Sequence, residues 1–321
     1  MRPRLVQAVL AATIVAAMLC ACGSPTPGNG AGLAKAGQTA ATEMQQAATL
    51  SAAAYAAFKM AVVFDAGFAN DADDPATQEF LRQEAAIQTT LSAYATMLEK
   101  LAAAYAALGN LAAVNAAGNF GPAADSLCAS AARLVDGMAP GTPTQANLCQ
   151  GASAGAGMII GGVQSRQVLD ASNRIETVLR SVIQIVADPA RRNLIVMNNG
   201  LVQRQIVGAA RNLFSAGVYS CAPLLDALGA PLNLKSVSAV DAVVARNPNL
   251  RRTCLNAVAV SADDAVSTAG TAYDMSVDAL KALLKQHENL KAGVPLDFGT
   301  IGVILSNLQG LATRLQTPKG T

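Results

Sequence analysis

The side chains able to do chemistry in this chain are few, and most stand far apart in sequence. Its 321 residues include one histidine, six cysteines and no tryptophan. The histidine, His287, lies in "LLKQHENLK" and continues the row Leu280, Leu283, His287, Leu290. That four-and-three spacing marks one face of a helix, so the expected place for His287 is the edge of a packed seam, partly covered by neighbours. Ser-His-Asp or Cys-His catalysis would have to use this one ring, and no GxSxG turn is present to expose a serine. Zinc sites want cysteine and histidine at short spacings, and a redox site wants CxxC; the chain has neither pattern. The acidic run "NDADD", Asn70 to Asp74, lacks the glycine and distant glutamate of an EF-hand, so capping and solvation explain it better than calcium. Two carboxylates can hydrolyse a glycoside without a histidine. The acids here, however, sit mostly at helix caps and exposed faces, and aromatic residues are only 4%, which weakens a sugar cleft. The sequence therefore assigns no catalytic residue, no metal ligand and no cofactor.

The elements that must hold these residues read as helices. Ile87, Leu91, Tyr94, Leu98, Leu101, Tyr105, Leu108 and Ala112 alternate by four and three, a coiled-coil-like seam. Before it, about Leu33 to Ala69, two seams run in parallel: Met44, Ala48, Tyr55, Phe58, Val62, and Leu50, Ala54, Ala57, Ala61, Phe64, Phe68. Alanine elsewhere favours helix and lets neighbouring backbones come close. Asp74 as cap and Pro75 at the first helical position join the two as an antiparallel hairpin. Val168, Ser172, Ile175, Leu179, Val182 and Val186 repeat the pattern, and Asp188-Pro189 restarts a helix that Asn199-Gly200 breaks. Long helices follow at Leu250 to Lys291 and Asp297 to Gln316. The expected fold is an all-α bundle of long antiparallel helices with coiled-coil-like hairpins, in a first half at 33–150 and a second at 151–321.

Four cysteines lie beyond residue 22, and in an exported chain an even count favours disulfides. Proximity pairs Cys128 with Cys149 and Cys221 with Cys254 among three possible arrangements. "GASAGAGMIIGGV", Gly151 to Val163, spaces glycines four apart as apolar helices in membranes do, an arrangement that looks like helical pore-forming toxins. It is too short to span a bilayer as a helix and reads as a flexible or closely packed connector.

At the N-terminus, Arg2 and Arg4 precede an apolar run from Leu5 to Leu19, the pattern of a secretory signal over residues 1–21. Leu19-Cys20-Ala21-Cys22 ends it and resembles the lipobox of bacterial lipoproteins: a leucine three residues before the cysteine, a small residue just before it, and a thiol to be acylated. Reading Cys20 as the acceptor puts bulky Leu19 at the cleavage position, so the resemblance assigns lipidation to Cys22. It further implies a cell-envelope location and, with Gly23 after the cysteine, the outer membrane of a Gram-negative cell, facing the periplasm or the surface. "GSPTPGNGAG", Gly23 to Gly32, reads as a flexible tether, making 22–32 the anchor region. The first 21 residues hold two of the 23 basic residues and none of the 21 acids. The chain after them is formally neutral, without a basic field for nucleic acid.

These features point to a lipid-anchored protein that presents helical surfaces to another envelope or secreted protein, with the membrane as its other partner. A small-ligand carrier, a membrane-active helical protein and an enzyme with a carboxylate site are the alternatives. The expected contact surface is the turn after the first helix, about 55 Å from the anchor along an upright helix. There Phe64, Phe68 and Phe80 flank Asp71, Asp73 and Asp74, an apolar patch rimmed by charge.

Overall fold

Alanine and unbranched side chains lose little freedom in a helix, and here they run for forty residues at a time between proline-started turns. The computed structural model describes residues 27–69, 75–114, 120–138, 164–190, 192, 208–209, 211–212, 221, 244 and 246–316. Among them are six long helices: α1 (Pro27–Ala69), α2 (Pro75–Val114), α3 (Phe120–Met138), α4 (Gln164–Val186), α5 (Pro248–Ala292) and α6 (Gly299–Gln316). No strand occurs among the described residues. The described part of the protein is an all-α bundle of long helices, some neighbouring pairs antiparallel and others parallel.

Every residue of the α2 seam, from Ile87 to Ala112, is buried, and so is the α4 row from Val168 to Val186. On α1, Met44, Ala48 and Tyr55 are buried; most side chains of its other seam lie outside the described residues. Pro75 opens α2 as a first-turn proline should, and Asp297 caps α6 by accepting the Gly299 amide at 2.8 Å.

The chain forms two compact units. Within the described residues the first comprises 27–47, 92–114, 120–138, 164–190 and 273–310. Its chain directions follow from its closest approaches. A Cβ on Gly30 would lie near Ala112, one on Gly109 near Ala34 and one on Gly37 against Tyr105, so α1 and α2 run antiparallel. Tyr94 and Tyr105 of α2 meet Tyr273 and His287 of α5, so those two run parallel. Ser172 bonds His287 while Tyr273 donates to the Val186 carbonyl, which sets α4 antiparallel to α5. Gly32 approaches Phe298 and Glu43 accepts from Gln309, so α6 runs alongside α1. α3 packs on α4 through Ala132, Val135 and Ile185.

The second unit includes 48–69, 75–91, 246–272 and 311–316. Tyr55, Phe80, Ile87, Leu91, Val266 and Ala269 are among its buried apolar residues, and burial pushes the Tyr55 hydroxyl up to about 12. Lys59 reaches Glu84 at 3.2 Å, and Glu84 is only 3% exposed. Cys221 and Cys254 are joined by a disulfide with their Cα atoms 5.7 Å apart.

Two findings depart from expectation. α1 begins at Pro27 rather than Leu33: Gly30 and Gly32 are helical, Gly30 leaving room for Val168 of α4 and Gly32 facing Phe298, the residue just before α6. Helix α3 has no counterpart in the expected elements.

Candidate functional site

His287 is placed by α5 and has no exposed surface. Its Nε2 lies 2.7 Å from the Tyr105 hydroxyl on α2, and its Nδ1 lies 2.7 Å from the Ser172 hydroxyl on α4. The three residues fall on the apolar rows of their own helices, which is why three helices deliver them to one point. The expected seam-edge position is corrected: Leu280, Leu283 and Leu290 are buried too, so His287 sits mid-seam, and α2 and α4 close over it from two sides. Burial holds the imidazole down at about 3, against a weaker opposing hydrogen bond to the Ser172 backbone. The ring is therefore neutral at physiological pH. A neutral imidazole has one N–H and one lone pair, so one flanking hydroxyl donates to the ring and the other accepts from it. Burial likewise pushes the Tyr105 hydroxyl far up. The tyrosine and histidine rings are 5.6 Å apart and tilted by 36°.

A second polar group lies one turn along. Arg180 of α4 donates to Glu176 Oε1 at 2.8 Å and to Glu288 Oε1 of α5 at 2.7 Å, tying the two helices beside His287 at the surface. Tyr94 stacks obliquely on Tyr273 at 5.6 Å; burial first, and then Tyr273, pushes its hydroxyl well up.

These contacts decide what the cluster does chemically. A serine hydroxyl at hydrogen-bond distance from imidazole has the spacing of a nucleophile and its base. A nucleophile, however, must also meet a substrate, and Ser172 is 1% exposed while the ring is sealed beneath it. Both ring nitrogens are occupied by buried hydroxyls, so the arrangement binds helices together.

The surface of the first unit carries an open groove of ≈ 230 Å³ between α2 and α3, lined by Ser92, Ala93, Thr96, Ser130 and Arg133. The Thr96 hydroxyl donates to the Ser92 carbonyl at 2.9 Å. Arg133 is exposed, with no hydrogen-bond or ion-pair partner among the described residues. The groove escaped the sequence reading because its arginine lies on α3, the helix that reading passed over.

Of the residues singled out from sequence, Phe80 is 2% exposed. It packs inward and forms no part of an exposed patch, which corrects its assignment to a contact surface. The side chains of Phe64 and Phe68, and Asp71, Asp73 and Asp74, lie outside the described residues, as do Cys22, Cys149 and Gly151 to Val163. Cys128 is buried and disulfide-bonded. Among the described residues no group of three or more His, Cys, Asp or Glu is placed to hold a metal ion, and no helix is long and apolar enough to cross a membrane. No protein-family model, curated protein or solved structure matches this chain.

Proposed function

We propose that this is a lipid-anchored cell-envelope protein that works by binding, as a helical scaffold for another envelope or secreted protein, rather than by catalysis. The observation that carries the non-enzymatic part is the state of His287: the chain's one histidine is fully buried, neutral and bonded at both nitrogens. The anchor part rests on Leu19-Cys20-Ala21-Cys22. The α2–α3 groove is smaller than the clefts and cavities of about 300–1,000 Å³ that usually hold small molecules. Its free arginine beside serine and threonine suits a carboxylate on a partner's surface better than an enclosed small molecule.

The test is chemical crosslinking in the native cell, followed by mass spectrometry of what the protein touches. Cys22→Ser is expected to abolish lipid labelling, while Cys20→Ser leaves it intact; labelling lost only in the Cys20 variant would overturn the anchor. Arg133→Glu is expected to reduce capture of the crosslinked partner several-fold with helicity unchanged. Undiminished capture moves the contact elsewhere, and Asp71, Asp73 and Asp74 changed together to Ser examine the turn between α1 and α2.

A further inference from the structure

The start of α1 at Pro27 places one end of the first unit close to any anchor at Cys22. Five Cα-to-Cα steps separate Cys22 from Pro27, which even a fully extended chain stretches to no more than about 18 Å. The N-terminal turns of α1, α4 and α6 gather at that end with the C-terminal turns of α2 and α5. Gly30 meets Val168 and Ala112, Gly32 meets Phe298, and Gln164 donates to the carbonyls of Leu111 and Ala112 at 3.1 and 2.7 Å.

The α5–α6 turn belongs to this same end, and it is firmly built. Gly293 adopts φ 67°, the left-handed conformation that stops a helix at little cost to glycine. Its amide donates to the Leu290 carbonyl, and the next amide, of Val294, donates to Asn289 at 2.8 Å. The Gln286 side chain accepts from the Asp297 amide at 2.8 Å. Such a turn commonly folds its apolar residue back onto the helix. Here Val294 is 46% exposed, Pro295 beside it is exposed, and so is Lys291, three residues before Val294 in the chain; Arg166 is exposed in the first turn of α4, whose N-terminus lies at this same end. The acid of the turn, Asp297, faces back to cap α6.

We propose that the Val294-Pro295 turn rests on the lipid bilayer that holds Cys22, with Lys291 and Arg166 at headgroup level. The proposal builds on the lipid-anchor reading of Cys22. An anchored chain keeps this end within about 18 Å of lipid at all times, so the effective local concentration makes a small apolar contact with flanking cations sufficient. The contact orients the first unit end-on, with α1, α4 and α6 leading away from the membrane.

The test uses a tether that needs no acylation. The chain with hexahistidine in place of residues 1–22 is bound to phosphatidylcholine vesicles containing a nickel-chelating lipid. An environment-sensitive dye is attached at Val294→Cys or, for reference, at exposed Asn307→Cys, about 12 Å along α6 from Gly299. On vesicles the dye at 294 is expected to shift to the blue and become several-fold less accessible to aqueous iodide, while the dye at 307 stays as in solution. Pro295→Asp is expected to restore quenching at 294. Equal quenching at 294 on and off vesicles overturns the contact even where Cys22 takes up lipid in cells. Protection at 294 without lipid labelling of Cys22 in cells overturns the anchor and leaves a turn that meets a bilayer only when the chain is otherwise held there.

Discussion

His287→Ala is expected to cost about 3–5 kcal/mol of folding stability, read as the shift of the urea midpoint followed by helical circular dichroism. The ring is fully buried, so its removal leaves a cavity that alanine-rich helices fill poorly. It also leaves the Tyr105 and Ser172 hydroxyls without their shared partner in an apolar interior. Tyr105→Phe and Ser172→Ala should each cost about 1–3 kcal/mol, and a double-mutant cycle should return a clear coupling between each and His287. An unchanged midpoint in His287→Ala would refute the buried cluster as a stabilising element. The pH dependence has a definite sign. Imidazole titrates near 6.5 when free and at about 3 in the fold, so the unfolded chain binds more protons in between. The contribution of His287 is complete above about 6.5 and is lost as pH falls toward 3, by up to about 5 kcal/mol. A His287→Gln variant should lack that part of the slope.

Gly37→Ala carries the other large effect. Glycine to alanine inside a helix normally gains about 1 kcal/mol. At Gly37 the new Cβ would collide with three ring atoms of Tyr105, which is fully buried and tied to His287. The ring has no room to give, and overpacking of this kind costs about 1–3 kcal/mol. Gly310→Ala serves as the opposite case, since a Cβ there meets nothing within 4 Å and the site is exposed. It is expected to raise the melting temperature while Gly37→Ala lowers it. Both moving upward would place α1 farther from α2 than described.

The contrast between these glycines explains much of what was legible in the sequence. The α2 row from Ile87 to Ala112 could be read because leucine and tyrosine at four-and-three spacing need a partner surface, whichever helix supplies it. Gly30 and Gly32 look like linker in sequence, since glycine favours both loops and tight helix contacts, and only the facing Val168 and Phe298 tell which. Helix α3 was missed although Phe120, Ala124, Leu127, Ala131, Leu134 and Met138 repeat by four and three; its many small residues and its start in "NFGP" masked that row. The helical row of His287 was readable, but its complete burial was not. That depends on two helices 182 and 115 residues away in sequence. Cys221 and Cys254 lie 33 residues apart, close enough for proximity to pair them.

The polar cluster at His287 also bears on how such a chain avoids folding wrongly. Seams made largely of alanine and leucine are nearly self-similar after a shift of one helical turn, about 5.4 Å, so apolar burial alone discriminates weakly between the native alignment and a slipped one. Slipping α2 or α4 by a turn against α5 would separate Tyr105 or Ser172 from the imidazole and strand polar groups in hydrocarbon. The penalty falls on the misaligned bundle and leaves the correct one untouched. One histidine thus acts as an alignment key for three helices, as a lone buried asparagine does in a coiled coil.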